Sequence, residues 1–267
     1  MAVFSGTIYS DTLKMETTLH AVLTGDMRTE RGCKPMLPGL KGKTLFLLHG
    51  LSGNGAGWLY YMPLFRFAEQ YGLRVILPDG HRSFYQDMVY GGQYFTYILE
   101  ELPQLAHDLF GADTSPENLM IAGLSMGGYG ALRCALTAPG RYACAGAFSA
   151  PAQLRGFVES DEEAHLRFFE RERTAWFGTG FPVSAQSDLF ALAERCGERV
   201  PPLFLACGRQ DPLYPTGESL CRHLAALGAA PAWFEQDGGH DWLFWEAALG
   251  RFLAWGAERE ENKAFVR

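Results

Sequence analysis

The sequence is short of cation clusters, paired cysteines and long apolar runs, and each shortage removes a class of function. Its 23 lysines and arginines stand against 30 aspartates and glutamates, a formal net charge of −7. No basic cluster runs against that balance, so nucleic-acid phosphates are repelled and no nucleic-acid partner is expected. The six cysteines (Cys33, Cys134, Cys144, Cys196, Cys207, Cys221) include no CxxC pair and no His/Cys metal spacing. They read as buried reduced thiols, and neither a metal nor a cofactor is expected. The longest apolar stretches, such as Thr44 to Leu48, fall far short of the ~20 residues that span a bilayer, so no membrane partner is expected. The opening MAVFSGTIYSDTLKMETT has no basic start and no apolar h-region, which reads as a cytoplasmic chain without a secretory leader.

Repeats, low-complexity tracts and linker-like segments are also lacking. With 267 residues and 48% apolar composition, the chain reads as a single domain over 1–267 with a large core of its own. Two opening strands are expected at Val3–Tyr9 and Thr17–Leu23, followed by a polar loop from Thr24 to Lys43. Six short apolar runs follow: TLFLLHG (44–50), LRVILPDG (73–80), NLMIAGLS (118–125), ACAGAFSA (143–150), PLFLACGRQD (202–211) and PAWFEQDGG (231–239). Several are unbroken rather than alternating, as strands covered on both faces should be. Helices are expected at Tyr60–Tyr71, Phe95–Phe110 with a kink or restart at Pro103, Gly128–Thr137 and Glu218–Leu227. This alternation predicts an α/β fold, a mostly parallel sheet with helices on both faces. In such sheets ligands bind beyond the carboxyl ends of the strands.

Those ends carry the polar chemistry. Gly123-Leu124-Ser125-Met126-Gly127 matches the G-x-S-x-G nucleophile elbow, in which a serine on a sharp strand-to-helix turn presents its hydroxyl at a helix N-terminus. Among 31 glycines the five-residue pattern is weak by itself. A phosphate cradle is the competing use of a glycine-rich turn. However, no G-x-x-x-x-G-K-[ST] occurs, and Gly53 to Trp58 lacks the last glycine of G-x-G-x-x-G.

A serine hydroxyl needs a base, and the base needs a third group to fix its tautomer. The expected chain order is Ser, Asp or Glu, His. Of the histidines after Ser125, His165 lies in the charged DEEAHLRFFERER and His223 in the amphipathic CRHLAAL. His240 alone follows a strand and two glycines. Asp211, in the turn after PLFLACGRQD, is the expected acid. Asp188 reads as a helix N-cap, Asp237 and Asp241 stand too close to His240, and Asp79 precedes the serine. An oxyanion hole would take the backbone N–H of Met126 and, from the loop after His49-Gly50, that of Leu51. His49 is expected to hold that loop by packing or hydrogen bonding.

LFLLHGLSGNGAGWL, LPDGHRSFYQDMVYGGQYFTYILEELP, MIAGLSMGGYGAL and GGHDW resemble the esterase D-type esterases, in particular their small bacterial tributyrin-esterase branch. S-formylglutathione hydrolases and feruloyl and acetyl-xylan esterases are related to that family. The resemblance runs over nearly the whole chain from Val3. It implies an α/β-hydrolase fold and a metal-independent serine esterase for small ester substrates. The nucleophile falls on Ser125, the acid on Asp211, the base on His240 and the oxyanion donors on Leu51 and Met126. Residues 151–199 (with HLRFFERERTAWFGTGF) stand where this fold takes cap insertions, and their aromatics read as packing for a lid. The six aromatics between Ser83 and Tyr97 read equally as pocket lining or as a packed loop. A carboxylesterase of short-acyl esters, a thioesterase of the S-formylglutathione type, a feruloyl or acetyl esterase acting on carbohydrate esters and a non-catalytic binding module all remain open here, as does assembly into a homo-oligomer.

Overall fold

The computed structural model describes residues 1–24, 39–155 and 171–266. Most of the Thr24–Lys43 loop lies outside these residues, as do Cys33, His165, Phe168 and Phe169. Strands β1 (Ala2–Ser10) and β2 (Met15–Leu23) form an antiparallel hairpin in which Ala2 faces Leu23 and Ser10 faces Met15. Glu101 fixes its turn, accepting from the Ser10 hydroxyl at 2.6 Å and from the Asp11 and Thr12 amides at 2.7 and 3.0 Å.

The remaining strands are β3 (Thr44–Leu48), β4 (Arg74–Pro78), β5 (Leu119–Leu124), β6 (Cys144–Phe148), β7 (Leu203–Gly208) and β8 (Ala232–Gln236). The sheet runs β1-β2-β4-β3-β5-β6-β7-β8, with β3 to β8 mutually parallel and β2 antiparallel to β4. Every residue of β3, β5, β6 and β7 is buried, which accounts for their unbroken apolar runs.

Successive side chains of these strands enter opposite cores. Phe46, Leu48, Ile121 and Leu205 pack on one face, beneath α4 (Leu102–Phe110), α5 (Met126–Thr137), α6 (Leu189–Cys196) and α7 (Tyr214–Ala226). Leu45, Leu47, Met120 and Phe204 pack on the other, beneath α2 (Leu64–Tyr71) and α8 (Trp242–Val266). Helix α8 was not among the expected elements. Its Phe244, Ala248, Phe252 and Leu253 cover that second face.

Prolines explain two further departures. The helix expected over Tyr60–Tyr71 is split into α1 (Gly57–Tyr60) and α2, with Pro63 at the break. The helix expected over Phe95–Phe110 opens with α3 (Tyr94–Thr96) and passes through a π turn at Tyr97–Glu101 before α4. Pro103 has no N–H to donate back along the helix, so the irregularity falls just ahead of it. Helix α5 starts at Met126 rather than Gly128, and α7 at Tyr214 rather than Glu218, with a proline in its first turn.

The chain leaves β3 toward β4 on one side and returns to β5 on the other. The crevice of a parallel sheet opens at such a reversal, here beyond the ends of β3 and β5.

Candidate active site

Ser125 joins β5 to α5 with φ 52° and ψ −121°, a left-handed conformation that an L-residue adopts only under constraint. Its N–H donates to the Phe148 carbonyl at 2.7 Å, and its carbonyl accepts the Tyr129 amide at 3.1 Å. The flanking glycines have a steric cause. A Cβ on Gly127 would stand 2.2 Å from the Leu48 oxygen, and one on Gly123 would stand 2.4 Å from the Gly127 carbonyl. Only bare backbone lets β3, β5 and the start of α5 meet this closely.

His240 comes to the serine from the loop after β8, with Nε2 3.0 Å from Ser125 Oγ. Its Nδ1 lies 2.8 Å from Asp211 Oδ2. The carboxylate can only accept, so Nδ1 carries the proton and Nε2 is the acceptor facing the hydroxyl. Asp211 is buried in the turn after β7, and its Oδ1 accepts the Leu213 amide at 2.9 Å. Burial pushes its carboxyl up. The hydrogen bond and charge of His240, the Leu213 amide and the nearby Ser149 hydroxyl outweigh burial and hold it below the usual carboxylate range.

Beyond β3, the His49 ring organises the Leu51 loop. His49 Nδ1 is 2.7 Å from the Gly50 carbonyl, which cannot donate, so Nδ1–H donates to it. Nε2 lies between the Gly80 N–H at 2.8 Å and Asp79 Oδ1 at 3.1 Å. The peptide unit is planar, so fixing the Gly50 oxygen fixes the direction of the Leu51 N–H on its opposite side. Neither the Leu51 nor the Met126 amide has an acceptor among the described residues, and both residues line the cavity that holds Ser125 and His240.

That cavity has a volume of about 800 Å³. One wall is aromatic, with Tyr61 stacked on Trp242 at 5.0 Å, and another is formed by Phe84, Leu124, Pro151 and Leu213. A smaller space of about 300 Å³ lies along residues 51–54, bounded by Asp79, His81 and Arg82. Of the six aromatics between Ser83 and Tyr97, only Phe84 lines the large cavity, while Tyr85, Tyr94 and Tyr97 are buried in the core. The segment is therefore chiefly packed loop.

Trp176 packs on Phe84 at 4.7 Å, and the Ser187 carbonyl accepts from the Tyr129 hydroxyl at 2.7 Å. Asp188 caps α6, accepting the Phe190 amide at 3.0 Å. His223 lies on α7 against Phe190 and does not line the cavity that holds Ser125. Two neighbours of the site were not singled out from sequence: Ser149 just after β6, and Trp245 in the first turn of α8. No motif marks either. Among the described residues no group of His, Cys, Asp and Glu side chains could hold a metal ion, and no helix is long and apolar enough to cross a membrane.

Comparison with known proteins adds to this geometry. Residues 28–197, well over half the chain, match the family described as Putative esterase. The chain is 30% identical over 263 residues to an acetyl esterase of Caldicellulosiruptor saccharolyticus, covering 96% of this chain and 98% of that protein. The substrate-bound structure of the fluorophosphonate-binding serine hydrolase F of Staphylococcus aureus matches with a TM-score of 0.83 and 28% identity, over 96% of this chain and 98% of that one. The S-formylglutathione hydrolase of the same bacterium matches with a TM-score of 0.78 and 27% identity, over the same shares of the two chains. The chain thus belongs to the Putative esterase family of α/β-hydrolases and is a carboxylic ester hydrolase of the serine type.

Proposed function

We propose that the protein hydrolyses short-acyl carboxylic esters of small molecules through Ser125, His240 and Asp211, by way of an acyl-enzyme. The observation that carries this reading is the linear array Ser125 Oγ–His240 Nε2 at 3.0 Å and His240 Nδ1–Asp211 Oδ2 at 2.8 Å, opening into the cavity. His240 Nε2 takes the Ser125 proton as Oγ bonds to the ester carbonyl carbon. The carbonyl π pair moves onto oxygen, where the Leu51 and Met126 amides receive it. Collapse breaks the bond to the alkoxy oxygen, which leaves as alcohol with the proton from His240. Water then repeats the sequence: it gives a proton to His240, bonds to the acyl carbon, and releases the carboxylic acid and the serine. Asp211 stays ionised throughout and stabilises the imidazolium.

A short acyl group is supported by the similarity to an acetyl esterase along nearly the full length of both chains. The reading needs no metal or cofactor and is set in the cytoplasm, with residues 151–199 as a cap on a single domain. A thioester substrate of the S-formylglutathione type is the second reading. It is supported by the Staphylococcus aureus relative and by 32% identity over 128 residues to a Bos taurus S-formylglutathione hydrolase, which spans 39% of this chain and 45% of that protein. Turnover of acyl-glutathione against p-nitrophenyl acetate and butyrate separates the two.

Ser125→Ala tests the shared core of both readings. It should lower kcat on p-nitrophenyl acetate by a factor on the order of 10⁴ or more, with the circular dichroism spectrum unchanged. Activity within tenfold of wild type in that variant would sink the assignment.

A further inference from the structure

We infer that Ser149 and Trp245 are positioning residues that close a ring of contacts around the acid and base, fixing Asp211 and His240 from the sheet and from α8. The inference rests on the proposed roles of Ser125, His240 and Asp211.

Ser149 is fully buried just beyond β6, with its N–H bonded to the Ala206 carbonyl of β7 at 2.8 Å. It is thereby pinned to the strand whose end leads into the Asp211 turn. Its hydroxyl accepts the Trp245 indole N–H at 3.1 Å. The indole can only donate, so the hydroxyl hydrogen is left for a second partner, and the groups beside it are the Asp211 carboxylate, which Ser149 helps to hold ionised, and the Cys207 thiol. Trp245 then reaches the other member of the pair, its ring meeting His240 edge-on at 5.0 Å and 88°. The path Asp211–Ser149–Trp245–His240 returns to Asp211 through the 2.8 Å hydrogen bond.

Two features show that this ring is held firmly. Asp241, next to the base, accepts the Phe244 amide on its side chain at 3.0 Å and the Trp245 amide on its carbonyl at 3.1 Å, which ties the indole to the His240 loop. Ser149 also takes a φ of 51°, where glycine would be favoured. A serine kept at such a position against backbone preference points to its hydroxyl.

The ionisable groups facing the pair are few. Cys207 lies against Asp211 and Ser149, and burial followed by the Asp211 charge pushes its thiol up to about 12, so it stays neutral. The Asp241 carboxylate is engaged with the Phe244 amide, and His49, Tyr60 and Tyr61 line the same cavity. Among the described residues none of these last three hydrogen-bonds to Asp211 or His240.

The test compares the full chain with Ser149→Gly, Ser149→Ala, Trp245→Phe and Ser125→Ala, using p-nitrophenyl acetate across pH. Glycine accepts the backbone conformation, so Ser149→Gly separates loss of the hydroxyl from loss of the fold. The inference expects kcat to fall about tenfold in both Ser149 variants, with KM within about twofold. The acid limb of kcat/KM, which belongs to the Asp211–His240 pair as a unit, should move to higher pH. A carboxylate that has lost a donor holds the pair's proton more strongly. Trp245→Phe keeps a ring against His240 and should show a smaller loss of about threefold, in the same direction. Wild-type kcat in Ser149→Gly would overturn the inference, as would a loss of kcat with the acid limb unmoved or lowered. If Ser125→Ala remains active, the triad reading itself fails. A dead Ser125→Ala beside a wild-type-like Ser149→Gly removes the ring of contacts alone.

Discussion

Two histidine–aspartate pairs stand on either side of the crevice, alike in residue type and unlike in what they can do. His49 follows β3 and meets Asp79 at 3.1 Å, while His240 follows β8 and meets Asp211 at 2.8 Å. The His49 side chain is 2% exposed, and both ring nitrogens are occupied by the Gly50 carbonyl and by the Gly80 amide with Asp79. The His240 side chain is 35% exposed, and its Nε2 faces only the Ser125 hydroxyl. A histidine beside a carboxylate is therefore no signature of a base. The difference lies in whether a ring nitrogen remains directed at a group that can give up a proton. His49 is a brace by that criterion, and His240 has the geometry of a base.

The same chemical change on each pair should give very different results. Asp211→Asn removes the charge that fixes the His240 tautomer and stabilises the imidazolium, and kcat should fall by about 10³ to 10⁴ with KM nearly unchanged. His49→Ala frees the Gly50 carbonyl and the Leu51 amide beyond it. A loss of about 10- to 100-fold in kcat is expected, with stability lower by about 1–3 kcal/mol because the Gly80 N–H loses its buried partner. Steady-state kinetics and urea unfolding of the two variants check both figures. Equal losses in Asp211→Asn and His49→Ala would erase the distinction between base and brace. Asp79→Asn, which can still accept the His81 amide, should cost only about threefold in activity.

The smallest expected effect is on acid stability. Burial pushes the Asp79 carboxyl up, but the neighbouring His49 ring, the His81 amide and the His81 ring hold it below its ordinary value. Asp211 is lowered in the same sense. A carboxyl with a depressed folded pKa adds stability above its unfolded value of about 3.9, and that stability is lost as pH falls through the folded value. Wild-type urea midpoints should therefore fall between pH 4 and pH 2. Asp79→Asn and Asp211→Asn should each flatten that slope, and a slope unchanged in both would contradict the assignment of cause.

Much of this arrangement was legible in the sequence because it depends on chain order and on strand ends. The unbroken runs marked β3 to β7, and the residues following them fell at one edge of the sheet. Glycine spacing marked the elbow, although the clash that explains it, Gly127 against the Leu48 oxygen, joins residues far apart in the chain. Helix α8 was illegible for a different reason. Its apolar positions serve both the core and the site, since Phe252 packs on Phe148 while Trp242 and Trp245 turn toward the cavity and His240. Ser149 carried no motif at all. Its significance lies in a φ of 51° and in partners on β7 and α8, which only the folded chain brings together. By composition the Ser83–Tyr97 aromatics read equally as pocket lining or as a packed loop. In the fold Phe84 and Tyr85 both take positive φ, Phe84 packs on Tyr129 of α5 at 5.3 Å, and Tyr85, Tyr94 and Tyr97 join the buried core.

The most direct test of the central claim is to treat the chain with a fluorophosphonate and locate the adduct by peptide mass spectrometry. One adduct per chain is expected, on Ser125, with labelling slowed strongly in Asp211→Asn and only modestly in His49→Ala. An adduct on any other residue, or an unlabelled chain that still hydrolyses p-nitrophenyl acetate, would contradict the account.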